Sequence, residues 1–315
     1  MSVHHLDWKQ DAPPVSRGGA LTIGNFDGVH RGHIALLTEL RQQAGRVGGP
    51  AVAMTFDPHP LQLLRPEQFQ PLLTTPADRA ELLQAHGADQ VVVFQTTPEL
   101  LQLSAVDFFE HVIGGRMQAR ALIEGSNFGF GHEREGTIET LRTLAEAAGV
   151  GLTVVPPFTT ADGVPISSSR VRRVLLRGAI AEAAELLGHR YRLRGVVGKG
   201  QRRGAGLGFP TANLEQMTTL VPGDGVYAVR ALYQGRAWPA AANVGPNPTF
   251  GEQARKVEVH LIGFQGDLYG QALAVDFVDR LRDTRPFGSV AELVAQLQAD
   301  IARATQIASA DQGGG

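Results

Sequence analysis

The run Gly24-Asn25-Phe26-Asp27-Gly28-Val29-His30-Arg31-Gly32-His33 closes on two histidines set one helical turn apart, and these are the first residues in the chain whose types and spacing suit a reaction. Gly24 and Gly28 let the backbone come close to a phosphate chain, and a helix starting near His30 would add unpaired N–H groups and the positive end of its dipole. Imidazoles fixed around a pentavalent phosphorus stabilise the negative charge that develops there, which requires no protein nucleophile. Alone, a His-x-Gly-His run reads equally well as a steric turn with capping histidines. A second segment, Ile166-Ser167-Ser168-Ser169-Arg170, offers hydroxyls, helix-end N–H groups and a guanidinium fork for phosphate at the head of a basic helix, and alone it reads as a serine cap before a solvated basic face. Together the two segments are far more specific than either.

Further along, Thr55-Phe56-Asp57-Pro58-His59-Pro60 ends an apolar run, and Glu124-Gly125-Ser126-Asn127-Phe128-Gly129-Phe130-Gly131 sets an amide beside aromatic faces that could hold a planar ring. Read singly, the first is a turn and the aromatics are core. A second chemical group begins at Gly198-Lys199-Gly200 and runs to Gly208-Phe209-Pro210-Thr211-Ala212-Asn213. It fits neither the Walker A spacing nor a Gly-x-Gly-x-x-Gly turn, so those two nucleotide folds are unsupported. Its glycines and cations can still cradle phosphate through backbone N–H groups. Thr211 and Asn213, two apart on an extended strand, offer neutral oxygens to a Mg²⁺ ion brought in by a nucleotide. Glu258 shares a strand face with His260 in Val257-Glu258-Val259-His260-Leu261; it is either an exposed carboxylate or a base for an attacking hydroxyl.

These residues need two kinds of scaffold. From residue 18 to about 187, short apolar runs at 20–24, 51–56, 90–94, 119–124 and 152–155 alternate with helical spacing at 33–44, 76–86, 104–113 and 137–148. That pattern predicts a Rossmann-like α/β domain with a parallel sheet, and it puts the His30/His33 turn at the carboxyl edge where such folds bind ligands. After a helical patch at 179–187 the texture turns to glycine and alternation, which predicts a small β-barrel closed by a terminal helix at 290–308. The expected domains are 1–188 and 189–315, with residues 309–315 a disordered tail.

The 315 residues suit two domains, each with a core of its own. A formal charge of −2 gives no overall pull toward nucleic acid or an anionic membrane, and neither is expected as a partner. There is no cysteine, so disulfides, thiolate nucleophiles and thiolate metal sites are excluded; the composition suits a reducing cytoplasm. Asp7, Lys9 and Asp11 stand where an export signal would need an apolar run, and no stretch has the roughly 20 apolar residues that span a bilayer. A soluble protein is expected, of undetermined oligomeric state.

The motifs GNFDGVHRGH, TFDPHP, SNFGFG and ISSSR, followed by GLGFPTANL, PGDGVYAV, AANVGPNPTFG, VEVHLIGF and FVDRLRDTRPF, resemble those of the bacterial bifunctional riboflavin kinase/FAD synthetase family in order and type. The resemblance implies an N-terminal FMN adenylyltransferase and a C-terminal riboflavin kinase, with riboflavin, FMN and ATP as substrates and Mg²⁺ as cofactor. It implies ATP contacts from Gly24, Phe26, Asp27, His30, His33, Ser168 and Arg170, and flavin contacts from Phe56, His59, Asn127 and Phe128. In the kinase half it implies a nucleotide loop of Gly198, Lys199, Gly200, Gly208, Phe209 and Pro210, Mg²⁺ and phosphate contacts from Thr211 and Asn213, and Glu258 as base. Two other readings stay open: a nucleotidyltransferase for another small phosphate with an inactive kinase half, and a flavin-binding regulator without turnover.

Overall fold

A computed structural model describes residues 2–199, 206–247 and 252–310. Two compact units emerge, Met1–Gln70 with Thr74–Ser167, and Pro71–Leu73 with Ser168–Gly315. The first unit holds six strands, β1 (Ser2–Leu6), β2 (Ala20–Ile23), β3 (Ala51–Asp57), β4 (Gln90–Gln95), β5 (Ala121–Gly125) and β6 (Gly151–Val155). They lie in the order β1-β4-β3-β2-β5-β6 with every pairing parallel. Successive strands step outward from β2 to β3 and β4, then return to its other side at β5. The carboxyl ends of β2 and β5 therefore flank the point where the order reverses, the place where open parallel sheets take ligands.

Parallel sheets are covered on both faces, which is why these strands read as nearly continuous apolar runs. Alternate residues feed two cores. Ala20, Ala51, Ala53, Val91, Val93, Ala121 and Ile123 pack with Leu37, Leu40 and Ala44 of helix α1 (Arg31–Val47) and with Leu83. Leu21, Ile23, Met54, Val92, Phe94 and Leu122 meet Phe108, Val112, Ile113 and Leu141 on the other side. The remaining helices are α2 (Pro60–Leu64), α3 (Pro76–Ala85), α4 (Pro98–Leu101), α5 (Ala105–Asp107), which runs into a π-helical stretch Phe108–Arg116, and α6 (Ile138–Ala148). Thr75 and Thr137 cap α3 and α6 through their side chains, the local signal behind both starts. Strand β1 was not anticipated. Its Val3 and Leu6 enclose two histidines, and it is held by pairing with Gln90 to Phe94 and by Leu6, which packs on the core.

The second unit opens with α7 (Ser168–Leu176) and α8 (Ile180–Leu187). It continues as β7 (Arg192–Gly198), β8 (Ala212–Glu215), β9 (Gly225–Tyr233), β10 (Arg236–Asn247), β11 (Glu252–Leu261) and β12 (Ala272–Arg282), and ends in α9 (Val290–Ala310). The strands close into a barrel in the order β10-β11-β8-β7-β12-β9, leaving no sheet edge. Val226, Ala228 and Leu281 on the barrel pack with Ala304 and Ile307 of α9. The tail expected from 309 is helical as far as Ala310, continuing the turn that buries Ala308; residues 311–315 lie outside the described part. Helices α7 and α8, expected with the N-terminal half, group with the barrel. The Gly223 N–H donates to Leu175 O at 2.8 Å, Arg172 Nε donates to Pro71 O at 2.8 Å, and a β-carbon on Gly178 would meet the Tyr227 hydroxyl at 2.6 Å.

Candidate active sites

The turn after β2 is strained and buried together. Phe26 and Val29 have φ of 47° and 39°, a region costly for any residue with a β-carbon and most of all for valine. Phe26 is 2 % exposed and Val29 is fully buried, so packing holds the turn. The Phe26 ring lies under Gly24, where a β-carbon would stand 3.2 Å from it. Asp27, also buried, accepts from the Thr74 N–H at 3.1 Å and from the Thr74 hydroxyl at 3.3 Å, while Thr74 Oγ1 accepts from the Gly28 N–H at 3.1 Å.

The two histidines meet face to face at the start of α1, with ring centroids 3.7 Å apart and planes inclined by 16°. The edge of Phe26 meets His33 at 5.2 Å. Gly32 leaves room for this stack, since a β-carbon there would come within 3.1 Å of the His30 ring. Burial, then the charges of His30 and Arg79, push the His33 imidazole well below its ordinary pKa. His33 is therefore neutral, with one ring nitrogen able to donate and the other able to accept.

Arg79, which the sequence reading passed over, is 2 % exposed. Its Nη1 donates to Thr55 Oγ1 at 3.2 Å and to the Phe56 carbonyl at 3.3 Å. Burial draws its pKa down against the opposing effects of Asp27 and Asp57. The available signal was helical spacing, which sets Arg79 four residues before the buried Leu83. Glu124, at the end of β5, is likewise buried; it accepts from the Ile23 N–H at 2.7 Å, and burial pushes its carboxyl well above the usual range.

Around this edge, Phe56 packs on the core and its carbonyl accepts from Arg79, while His59 caps α2, its Nδ1 accepting from the Leu61 N–H at 3.1 Å. Phe128 stacks on Phe130 at 5.5 Å, and Asn127 is exposed, its carbonyl accepting from Arg134 at 3.2 Å. Ser168 and Arg170 open α7 in the other unit, where Arg170, Arg173, Val174, Leu176, Arg177 and Glu182 line a cavity of about 460 Å³.

On the barrel, Asn213 pairs with Gly198 on one side and Glu258 on the other, and Glu258 pairs in turn with Asn243. Directly opposed residues share a sheet face, so Asn213, Glu258 and Asn243 form one row. Their neighbours Ala212, Leu214, Ala242, Val244, Val257 and Val259 fill the interior, which places the row on the outer face. Thr211 stands just before β8 on the same side as Asn213. His260 Nδ1 lies 2.7 Å from Pro210 O and its ring 6.0 Å from Phe209, fastening the Phe209-Pro210 turn two residues from Glu258. Gly208 has φ of 89°, a conformation suited to glycine. A β-carbon on Gly198 would run into the Glu215 carboxylate, and Lys199 Nζ sits 5.3 Å from the Tyr269 ring centre. Gly200 lies outside the described residues. Asn243 was not anticipated; its signal was one polar residue within the apolar run from Ala240 to Val244.

A family model described as FAD synthetase matches residues 12–170, and one described as riboflavin kinase matches residues 187–308. A protein of Pseudomonas fluorescens named bifunctional riboflavin kinase/FMN adenylyltransferase is 37 % identical over 300 residues, covering 94 % of this chain and 95 % of its own. The chain belongs to the bifunctional riboflavin kinase/FMN adenylyltransferase family. Members of the same name from Escherichia coli K12 and Bacillus subtilis are 36 % and 32 % identical, covering 95 % and 94 % of this chain and 94 % and 93 % of their own. A solved structure from Streptococcus pneumoniae, described as a macrolide-efflux protein, matches with a TM-score of 0.84 at 33 % identity over 95 % of this chain and 97 % of its own. In this family member no helix among the described residues is long and apolar enough to cross a membrane.

Proposed function

We propose that the chain makes FAD in two ATP-dependent steps: riboflavin and ATP give FMN and ADP, then FMN and ATP give FAD and pyrophosphate. Two unlike sites in one chain carry this reading, the stacked pair His30 and His33 in the first unit and the row Asn213, Glu258 and Asn243 in the second.

In adenylyl transfer a phosphate oxygen of FMN attacks the α-phosphorus of ATP and pyrophosphate departs. His30 and His33 donate to the charge that develops on the phosphoryl oxygens, Gly24, Phe26 and Asp27 shape the turn that receives the nucleotide, and Ser168 and Arg170 bind its phosphates. Phe56, His59, Asn127 and Phe128 border the flavin. In phosphoryl transfer Glu258 accepts the proton of the terminal ribityl hydroxyl as its oxygen attacks the γ-phosphorus. Gly198, Lys199, Gly200, Gly208, Phe209 and Pro210 form the nucleotide loop.

Thr211 and Asn213 supply neutral oxygens next to the Glu258 carboxylate, a donor set of the hard oxygen type that Mg²⁺ prefers, and they would hold the ion. When bound, Mg²⁺ neutralises phosphate charge. The use of ATP in both reactions supports a cytoplasmic location.

Incubation of the purified protein with riboflavin, ATP and Mg²⁺, with the flavins then resolved, is the direct test. FMN followed by FAD is expected, and absence of both defeats the reading. Glu258→Gln should lower FMN formation at least about 100-fold while leaving FAD formation from supplied FMN unchanged.

A further inference from the structure

We propose that Arg79 is a positioning residue for adenylyl transfer, joining the end of β3 and the turn after β2 to α3. The links run through three elements. Arg79 Nη1 donates to Thr55 Oγ1 and to the Phe56 carbonyl, and Thr55 Oγ1 donates to the Asn25 carbonyl at 3.2 Å. A single guanidinium on α3 thereby fixes the close of β3 and, through Thr55, the turn that leads into His30 and His33. Thr75, the cap of the same helix, follows Thr74, which holds Asp27 and Gly28. The turn is thus held on both sides from the segment that starts α3.

A structural arginine would ordinarily saturate its donors, because burying a guanidinium group is costly. Arg79 Nε is buried with no hydrogen-bond partner among the described residues. Burial opposes the charge of this guanidinium, and Asp27 and Asp57 support it. The charged and titratable groups acting here are His30, stacked on His33 from the start of α1, Arg79 from α3, and Asp27 and Asp57, from the turns after β2 and at the end of β3, which act on Arg79. Burial first, then His30 and Arg79, disfavour protonation of His33, which keeps that ring neutral before ATP arrives. The consequence is a nucleotide site with its donors set in place and its imidazole in one protonation state.

This inference rests on the role assigned to His33, and the test separates the two. Adenylyl transfer from supplied FMN is measured against pH for wild type, His33→Gln, Arg79→Met and Arg79→Lys, with riboflavin kinase activity and melting temperature as checks of the fold. Arg79→Met should lower kcat on the order of 100-fold, with a smaller change in KM for ATP, because loss of the link misplaces reacting groups. Its acidic limb should move to higher pH, since removing a positive charge makes His33 easier to protonate. Arg79→Lys keeps the charge and loses the fork, so it should keep the wild-type limb and lose about tenfold in kcat. A loss of activity in Arg79→Met without movement of the limb would reduce Arg79 to a structural residue and overturn the proposal. Should Arg79→Met fail to fold, Arg79→Lys decides: wild-type kcat overturns the proposal. Wild-type activity in His33→Gln would instead defeat the reading of the site itself.

Discussion

Glu124 shows how one side chain ties the site to the stability of its sheet. Its carboxyl is buried at the end of β5 and bonded to the Ile23 N–H, with its pKa raised by burial. The unfolded chain releases this proton near the ordinary pKa of about 4.3, whereas the folded chain keeps it to higher pH. Stability from the neutral carboxyl is therefore fully present below the unfolded pKa and is lost as pH rises through the folded one. Glu124→Gln keeps an acceptor for Ile23 and removes the titration. Its melting temperature relative to wild type should rise between pH 5 and pH 8, by about 2–4 °C for each kcal/mol relieved. A difference that stays flat with pH across that range would rule this out. His33 has the opposite sense: its lowered pKa gives stability that is present above the unfolded pKa of about 6.5 and is lost as pH falls toward the folded value.

At the scale of an element, the first turns of α1 exchange helix stability for ring placement. Glycine inside a helix costs about 1 kcal/mol relative to alanine, so Gly32 is unfavourable for α1 itself. What retains it is the 3.1 Å that a β-carbon would leave to the His30 ring. Gly32→Ala should displace that ring by a few tenths of an ångström and lower adenylyl transfer by about tenfold. Its melting temperature should fall little, because the helix gain offsets the close contact. Thermal melts and FAD formation from FMN, compared in one preparation, check this; unimpaired transfer would sink it. The sequence showed α1 through spacing, α3 and α6 through spacing and caps, and β2 to β6 through apolar runs. It did not show β1, whose place is set by long-range pairing with β4.

At the scale of the whole molecule, α7 and α8 belong with the barrel. Val171, Val174, Leu175, Ile180, Leu186 and Leu187 are all buried, and each large aliphatic side chain contributes about 1.5–3 kcal/mol when removed from water. We expect a fragment starting at Ser168 to melt cooperatively and to phosphorylate riboflavin. A fragment starting at His189 should melt at least about 5 °C lower, because it loses those helices and the Leu175 carbonyl that accepts from Gly223. Equal melting temperatures would place the boundary at 188 after all. The helical patch at 179–187 was legible, but the unit it joins was not, since partner choice between two cores leaves no local trace.

The sequence by itself determined the chemistry on offer. Two histidines around a glycine, serines ahead of an arginine, a Thr-x-Asn pair and an alternating strand with one carboxylate are local patterns, and local patterns set which groups can face a phosphate. It also determined the architecture, because period and turn residues act over a few positions at a time. Only the tertiary structure decided that His30 and His33 stack, that Glu258 stands between Asn213 and Asn243, and that Arg79 and Thr74 reach the first turn from α3 and its approach. The histidine stack aside, those relations join residues from 15 positions apart, Asn243 and Glu258, to 47, Asp27 and Thr74, and such distances are closed by packing the sheet and the barrel rather than by any pattern along the chain.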